Sequence, residues 1–111
     1  MGKVNLLVKY CLINEKNEYN IKGIFANNEI KFIDNGIKML INKRENTLKR
    51  VTDDAEIVFD FNLKNCSILD RTSNNKISFK IDVLEQSNVS NEFYVKYKIE
   101  NNVFEVMVKI I

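Results

Sequence analysis

Apolar and polar residues alternate along most of this chain. Successive side chains of a β-strand point to opposite faces, so sustained alternation indicates strands that are buried on one face. The alternation predicts eight strands, over residues 3–13, 18–25, 29–33, 37–42, 56–63, 76–83, 92–99 and 104–110. Two weaker stretches, Thr47 to Val51 and Cys66 to Arg71, are candidates for short edge or rim strands. We therefore expect eight to ten strands.

Short polar connections separate the predicted strands. Asparagine and glycine tolerate the positive φ angles of tight hairpin turns. The predicted turns are Asn27-Asn28, Asn35-Gly36, Lys64-Asn65, Asn74-Asn75 and Asn101-Asn102. Connections this short join neighbouring strands, which predicts an antiparallel meander. The best helical candidate, residues 43–54, lacks an apolar stripe, so any helix there is limited to one turn.

A meander with one apolar face must cover that face and protect its two edge strands. Closing the sheet into a barrel does both, and eight strands give an interior that side chains fill or that holds one small ligand. The predicted fold class is therefore all-β, an antiparallel meander closed into a small barrel of eight to ten strands. A two-sheet sandwich is the alternative, but it usually needs longer crossover connections. The length of 111 residues fits one domain over residues 1–111.

The order of strands resembles that of a known family. The similarity runs through the stretches Lys22 to Phe25, Glu29 to Ile41, Leu48 to Arg50, Ile57 to Phe59, Phe93 to Ile99 and Phe104 to Ile110. In these stretches the chain resembles the YwiB-like family, small uncharacterised bacterial proteins with a lipocalin-like barrel of the calycin type. The resemblance implies a barrel with an interior cavity, and it implies no particular activity.

Composition and charge narrow the function classes. Lysine and arginine total 17 against 15 acidic residues, a net charge of +2 that argues against nucleic acid as a partner. No apolar stretch approaches the roughly 18 residues that span a bilayer, and the N-terminus lacks a signal-peptide pattern. We therefore expect a cytoplasmic protein without a membrane partner. The chain has no histidine, which removes the commonest acid–base, nucleophilic and zinc chemistry. No enzyme activity, cofactor or metal is predicted.

Weaker chemical candidates remain. Cys66, with Asp70 and Arg71 nearby in sequence, is a candidate activated thiol, although a small buried strand residue explains it as well. Cys11 and Cys66 match no metal or redox spacing and are expected to be reduced. The acidic residues of 53–56 lack the spacing of a calcium-binding loop.

The segment from Phe93 to Lys98 combines aromatic and basic residues, as nucleic-acid stacking platforms do. On a strand, however, Phe93 and Tyr97 face inward, so Tyr94 alone would accompany the outward lysines. A solvated strand face is the alternative interpretation.

The predicted interior suggests a ligand site. Arg50 shares a strand face with Leu48, so its guanidinium could pair with a ligand carboxylate inside the barrel; alternatively, Arg50 caps the barrel end or lies on the surface. The aromatic residues expected to line the interior are Tyr19, Phe25, Phe32, Phe59, Phe61, Phe79, Phe93 and Tyr97. The first hypothesis is thus a binding module for a small apolar or amphipathic ligand.

The alternative hypothesis is a structural or interaction protein with a solid core and no small-molecule ligand. Eight large aromatic side chains are enough to fill a narrow barrel completely. Such a protein would act through its surface or as a homodimer along Ile24, Ile33 and Leu40. An enzyme ranks third among the hypotheses.

Overall fold

The computed structural model describes residues 2–12 and 15–111. Residue 13, the end of the first predicted strand, lies outside them. Eleven β-strands and no helix occur in these residues. The strands are β1 (Gly2–Leu12), β2 (Glu15–Ala26), β3 (Glu29–Asp34), β4 (Ile37–Asn42), β5 (Thr47–Val51), β6 (Ala55–Asp60), β7 (Asn65–Asp70), β8 (Lys76–Lys80), β9 (Asp82–Val89), β10 (Glu92–Ile99) and β11 (Asn102–Ile110). The described chain thus has no helix long and apolar enough to cross a bilayer.

All eleven strands form one antiparallel sheet. Its order is β8-β7-β6-β5-β4-β3-β2-β1-β11-β10-β9, so every hydrogen-bonded pair except β1 with β11 consists of consecutive strands. The predicted all-β antiparallel meander is confirmed. The predicted count of eight to ten strands is wrong, because the described residues form eleven.

Three strands account for the difference in count. β5 and β7, predicted as edge or rim strands, each have a neighbour on both sides and lie within the sheet. The predicted strand 76–83 divides at Ile81 into β8 and β9. The sequence does not predict β9 as a separate strand, because residues 84–89 are mostly polar and exposed. In addition, the register between β9 and β10 shifts between Lys96 and Tyr97. A bulge of this kind interrupts the alternation on which the prediction relied.

The sheet curls into a barrel that is nearly closed. Phe59 on β6 and Tyr97 on β10 are far apart in the strand order, yet their ring centroids lie 5.3 Å apart. β8 and β9 do not pair with each other, so complete closure is not observed.

The gap beside β9 is closed by the turn that joins β4 to β5. Asn88 Nδ2 donates a hydrogen bond to the Lys43 carbonyl at 2.7 Å, and Gln86 Nε2 donates to Asn46 Oδ1. Lys43 Nζ in turn donates to the Val89 carbonyl. The contact with this turn covers the outer edge of β9, while nothing comparable is seen along β8 in the described chain.

The tightest hairpins follow the predicted turn chemistry. Asn27 and Asn28 have φ angles of 54° and 63°, and Asn35 and Gly36 have 51° and 79°. Two successive positive φ angles define the turn that matches the twist of a β-hairpin. In the last hairpin the positive φ belongs to Glu100, one residue before the predicted Asn101.

The core lies inside the barrel and comes from the inward faces of the strands. Its buried apolar residues are Leu6, Val8, Ile30, Phe32, Ile41, Leu48, Phe59, Phe61, Cys66, Ile81, Phe93, Val95, Tyr97 and Val108. Burying one large apolar side chain stabilises a fold by about 1.5–3 kcal/mol. The apolar residues of the alternating pattern that predicts the strands are therefore also the residues whose burial stabilises the fold.

Gly23 permits β1, β2 and β3 to pack closely. A Cβ atom at this position would lie 2.6 Å from Leu6 Cδ1 and 2.6 Å from the Lys31 carbonyl oxygen. The carbonyl belongs to the backbone of β3 and cannot move without disturbing the ladder. A residue without a side chain is thus required here on steric grounds.

We predict that Gly23→Ala lowers the free energy of unfolding by about 1–3 kcal/mol, the usual cost of overpacking a core. Gly2→Ala is the matched control, because a Cβ at Gly2 meets nothing within 4 Å. Urea unfolding followed by circular dichroism measures both variants. Equal stability of the two variants would contradict the close approach at Gly23.

Candidate ligand-binding site

Aromatic side chains fill one part of the barrel interior. The Phe61 ring lies 6.0 Å from Phe93 and 5.6 Å from Tyr97, and Tyr97 stacks on Phe104 at 5.4 Å. Aromatic pairs at these distances attract one another beyond the effect of buried area alone. This cluster links the turn after β6 with β10 and β11 across the interior.

The remaining part of the interior is open. A cavity of about 200 Å³ lies on the other side of Phe59 and Tyr97 and reaches the end of the barrel near the turn between β3 and β4. It is lined by Val8, Tyr10, Tyr19, Phe32, Asp34, Asn35, Ile37, Met39, Leu48, Arg50, Phe59, Tyr97, Val106 and Val108. Cavities for drug-sized ligands span about 300–1,000 Å³, so this one suits a smaller molecule.

Arg50 supplies the positive charge of the cavity. On β5 it pairs with Met39 of β4 and Ile57 of β6, and it shares the inward face with the buried Leu48. No carboxylate of a described residue lies within 4.0 Å of its guanidinium, and no hydrogen bond joins the side chain of Arg50 to a described residue. The guanidinium is therefore half-buried and forms no direct ion pair with a carboxylate of the described residues, although Asp34 lines the same cavity.

A hydrogen-bonded pair lies at the cavity rim. The Tyr19 hydroxyl of β2 donates to Asp34 Oδ2 of β3 at 2.5 Å, and the Tyr10 ring packs edge-on against Tyr19 with centroids 6.0 Å apart. Burial raises the pKa of Tyr19, and the hydrogen bond to Asp34 raises it further. Tyr19 is consequently a neutral hydrogen-bonding group at neutral pH.

Tyr97 occupies the inner wall of the cavity. Burial raises the pKa of its hydroxyl to about 12, although the positive charge of Arg50 acts in the opposite direction. The phenol therefore stays protonated near neutral pH. The cavity therefore presents a cation at Arg50, a carboxylate at Asp34 that accepts a hydrogen bond from Tyr19, and a neutral phenol at Tyr97, beside apolar walls.

The structure brings together five of the nine predicted site residues. Tyr19, Phe32, Arg50, Phe59 and Tyr97 line the cavity. The other four belong to the core outside the cavity: Phe25, Phe61, Phe79 and Phe93. All nine share the inward face, but alternation does not reveal how far along the barrel a residue lies.

Sequence reasoning missed three polar residues of the cavity, of which Asn35 lies in the turn between β3 and β4 and two lie on strands. Tyr10 lies on the predicted inward face of β1 but was not selected. Asp34 continues the inward series of Ile30 and Phe32 by one step, and a charged residue at such a position is itself a signal. Both could have been found by extending the alternation to the ends of the strands.

The candidate activated thiol at Cys66 is not supported. Cys66 is buried, and burial raises its pKa to about 11, which disfavours the reactive thiolate. Asp70 instead accepts hydrogen bonds from the backbone and hydroxyl of Thr72, and these lower the Asp70 pKa. Arg71 donates to the Thr52 carbonyl at 3.4 Å. The three residues thus have separate structural partners.

The outer surface of β10 does not form a stacking platform. Tyr97 is buried, with 4% of its surface exposed. The Tyr94 hydroxyl donates to Glu105 and approaches Glu85 Oε2 at 3.2 Å, which surrounds that ring with negative charge. A shallow trough of about 430 Å³ lies beside Tyr94 and carries charges of both signs, from Lys9 to Glu105.

Comparisons of this chain with protein-family models, with curated proteins and with solved structures gave no match.

We predict that thiol labelling distinguishes the two cysteines, both of which are free. With a pKa of about 11, Cys66 has about one thousandth of its population as thiolate at pH 8, and it is shielded from reagents as well. Native protein should therefore label first at the half-buried Cys11 and at Cys66 only on unfolding. The Cys66→Ala variant should lose the slow phase alone. Equal native labelling rates for the two thiols would contradict the buried position of Cys66.

Proposed function

We propose that this protein is a cytoplasmic, calycin-type barrel of the YwiB-like kind that binds a small amphipathic carboxylate in the cavity beside Arg50. The observation that supports this proposal most strongly is the guanidinium of Arg50 in the cavity, without a carboxylate of the described residues within 4.0 Å. Removing a cation from water is costly unless an anion compensates it.

A carboxylate fits this environment by geometry and by charge. Guanidinium donates two parallel hydrogen bonds to a carboxylate, and such charge-assisted bonds are among the strongest in proteins. The apolar body of the ligand would contact Met39, Val106 and Val108, which line the same cavity. The Tyr97 hydroxyl supplies a neutral polar contact.

The size of the cavity limits the ligand. Its volume of about 200 Å³ is below the roughly 300–1,000 Å³ of sites that hold drug-sized ligands. A short aliphatic or single-ring monocarboxylate meets this limit, whereas a long-chain lipid exceeds it. Hexanoate and benzoate are accordingly suitable probes.

The homodimer alternative has weaker support. Ile24 and Ile33 are exposed, at 43% and 60% of their surface, but Leu40 is half-buried. The register also places Lys31 between Ile24 and Leu40 on the outer face. The three apolar residues therefore do not form one contiguous patch, which is what a homodimer interface needs.

We predict that Arg50→Met weakens hexanoate binding at least about tenfold, because the charge-assisted bonds are lost. Arg44→Met is the matched control, since it removes the same charge from an exposed turn. Isothermal titration with hexanoate and with hexanol compares the three proteins, and hexanol should not distinguish them. Equal hexanoate affinity in wild type and Arg50→Met, or an equal loss in Arg44→Met, would refute the site.

Native mass spectrometry of protein purified from cells tests the same proposal without a chosen probe. A bound cellular ligand appears as a discrete added mass in the wild type and is expected to be absent from Arg50→Met. An identical added mass on both proteins would place the ligand elsewhere.

We also predict that Arg50→Met does not lower the stability of the ligand-free protein. Arg50 has no ion-pair partner among the described residues, and an apolar side chain of similar length avoids the cost of burying a charge. Thermal unfolding should show an equal or higher midpoint for the variant. A clear decrease in the unfolding midpoint would mean that Arg50 stabilises the ligand-free barrel, which would contradict its role as an anion-binding residue.

A further inference from the structure

Within the described parts of the chain, the edge of the sheet along β8 is uncovered. β8 pairs with β7 on one side, and after Ile81 the chain continues into β9, which pairs with β10 instead. β8 has no second neighbour in the sheet formed by the described residues. Exposed edges of this kind accept further strands unless they are protected.

The register shows which backbone groups face the open side. Backbone hydrogen bonds from Ile81 N to Lys64 O and from Asp70 N to Asn75 O bracket the ladder between β7 and β8. Because bonded and non-bonded pairs alternate in an antiparallel ladder, Ile77 and Phe79 bond to β7. The N–H and C=O groups of residues 76, 78 and 80 therefore point to the open side.

The side chains of β8 give this edge a distinct chemistry. Lys76, Ser78 and Lys80 are exposed on the outer face. Ile77 lies on the same face as Phe79, which packs against the core, yet 61% of the Ile77 surface is exposed. The edge thus combines two outward positive charges with an uncovered apolar side chain on its inner face.

We propose that an extended acidic segment of another protein adds to β8 as a twelfth strand. Its backbone would bond to residues 76, 78 and 80. Its acidic side chains would lie opposite Lys76 and Lys80, and an apolar one would cover Ile77. Main-chain pairing provides affinity in this mode of recognition, and alternate side chains provide specificity. The proposal is independent of the cavity and of Arg50.

Charge favours such a segment over a second copy of this chain. Antiparallel pairing of two β8 strands centred on Ser78 would set each Lys76 opposite a Lys80, and like charges directly opposite are destabilising. The same positions are favourable when the added strand carries Asp or Glu. The lysines therefore discourage self-association and select an acidic partner.

Two synthetic peptides test the proposal, with central sequences Glu-Val-Ser-Val-Glu and Lys-Val-Ser-Val-Lys. On titration into ¹⁵N-labelled protein, the acidic peptide should shift the amide resonances of residues 76, 78 and 80 more than those of residues 77 and 79. The lysine peptide should bind at least about tenfold more weakly. Absence of acidic-peptide binding to the wild type would overturn the proposal.

Two variants separate strand addition from simple charge attraction. Ser78→Pro removes an N–H that points to the open side, keeps the net charge and spares the bonds to β7. Ser78→Pro should lower the affinity for the acidic peptide at least about tenfold, and an unchanged affinity would overturn the proposal. The double variant Lys76→Glu with Lys80→Glu should reverse the preference between the peptides, and an unreversed preference would overturn the proposal.

Because both reversed lysines are exposed, the double variant tests the edge even if Ser78→Pro fails to fold. Sedimentation equilibrium supplies a further check on the occupant. The wild-type protein should not dimerise through β8. If it does dimerise, and the Lys76→Glu, Lys80→Glu variant changes the strength of the dimer, then a second copy of this chain occupies the edge and the proposal of an acidic segment is wrong.

Discussion

The alternation of apolar and polar residues is the constraint on which this structure depends. It gives each strand one apolar face, and a sheet of such strands must bury that face. Curling the sheet brings β6 opposite β10, where Phe59, Phe61, Phe93 and Tyr97 meet. Neither strand pairs with the other, so these ring contacts, together with the hydrogen bonds between the β4–β5 turn and β9, hold the two sides of the barrel together. On the opposite wall, the absence of a side chain at Gly23 allows β1, β2 and β3 to pack closely.

Incomplete filling of the barrel connects the fold to the proposed function. The aromatic cluster occupies part of the interior and leaves a cavity bounded by Phe59 and Tyr97. Apolar walls alone would not indicate the charge of a ligand, but the half-buried charge of Arg50 favours an anionic ligand in our proposal. Incomplete closure of the sheet has a separate consequence at β8. The cavity beside Arg50 and the edge of β8 are thus the two separate places at which we propose recognition.

Much of the fold, and part of the site, could be predicted from the sequence. Alternation and the Asn35-Gly36 turn identify the antiparallel meander, because both are local signals. The central position of β5 and the break at Ile81 could not be predicted, since they depend on which strand lies alongside. The inward position of Arg50 follows from its spacing to Leu48. Which inward residues line the cavity could not be predicted, because this depends on how far along the barrel axis each residue lies. A two-residue period does not contain that information.

Nuclear Overhauser contacts between aromatic rings test the barrel most directly. The account predicts contacts from Phe59 to Tyr97 and from Phe61 to both Phe93 and Tyr97, because these rings meet across the interior at centroid distances of 5.3–6.0 Å. If those contacts are absent while the neighbouring-strand contacts persist, the sheet is open and there is no enclosed cavity.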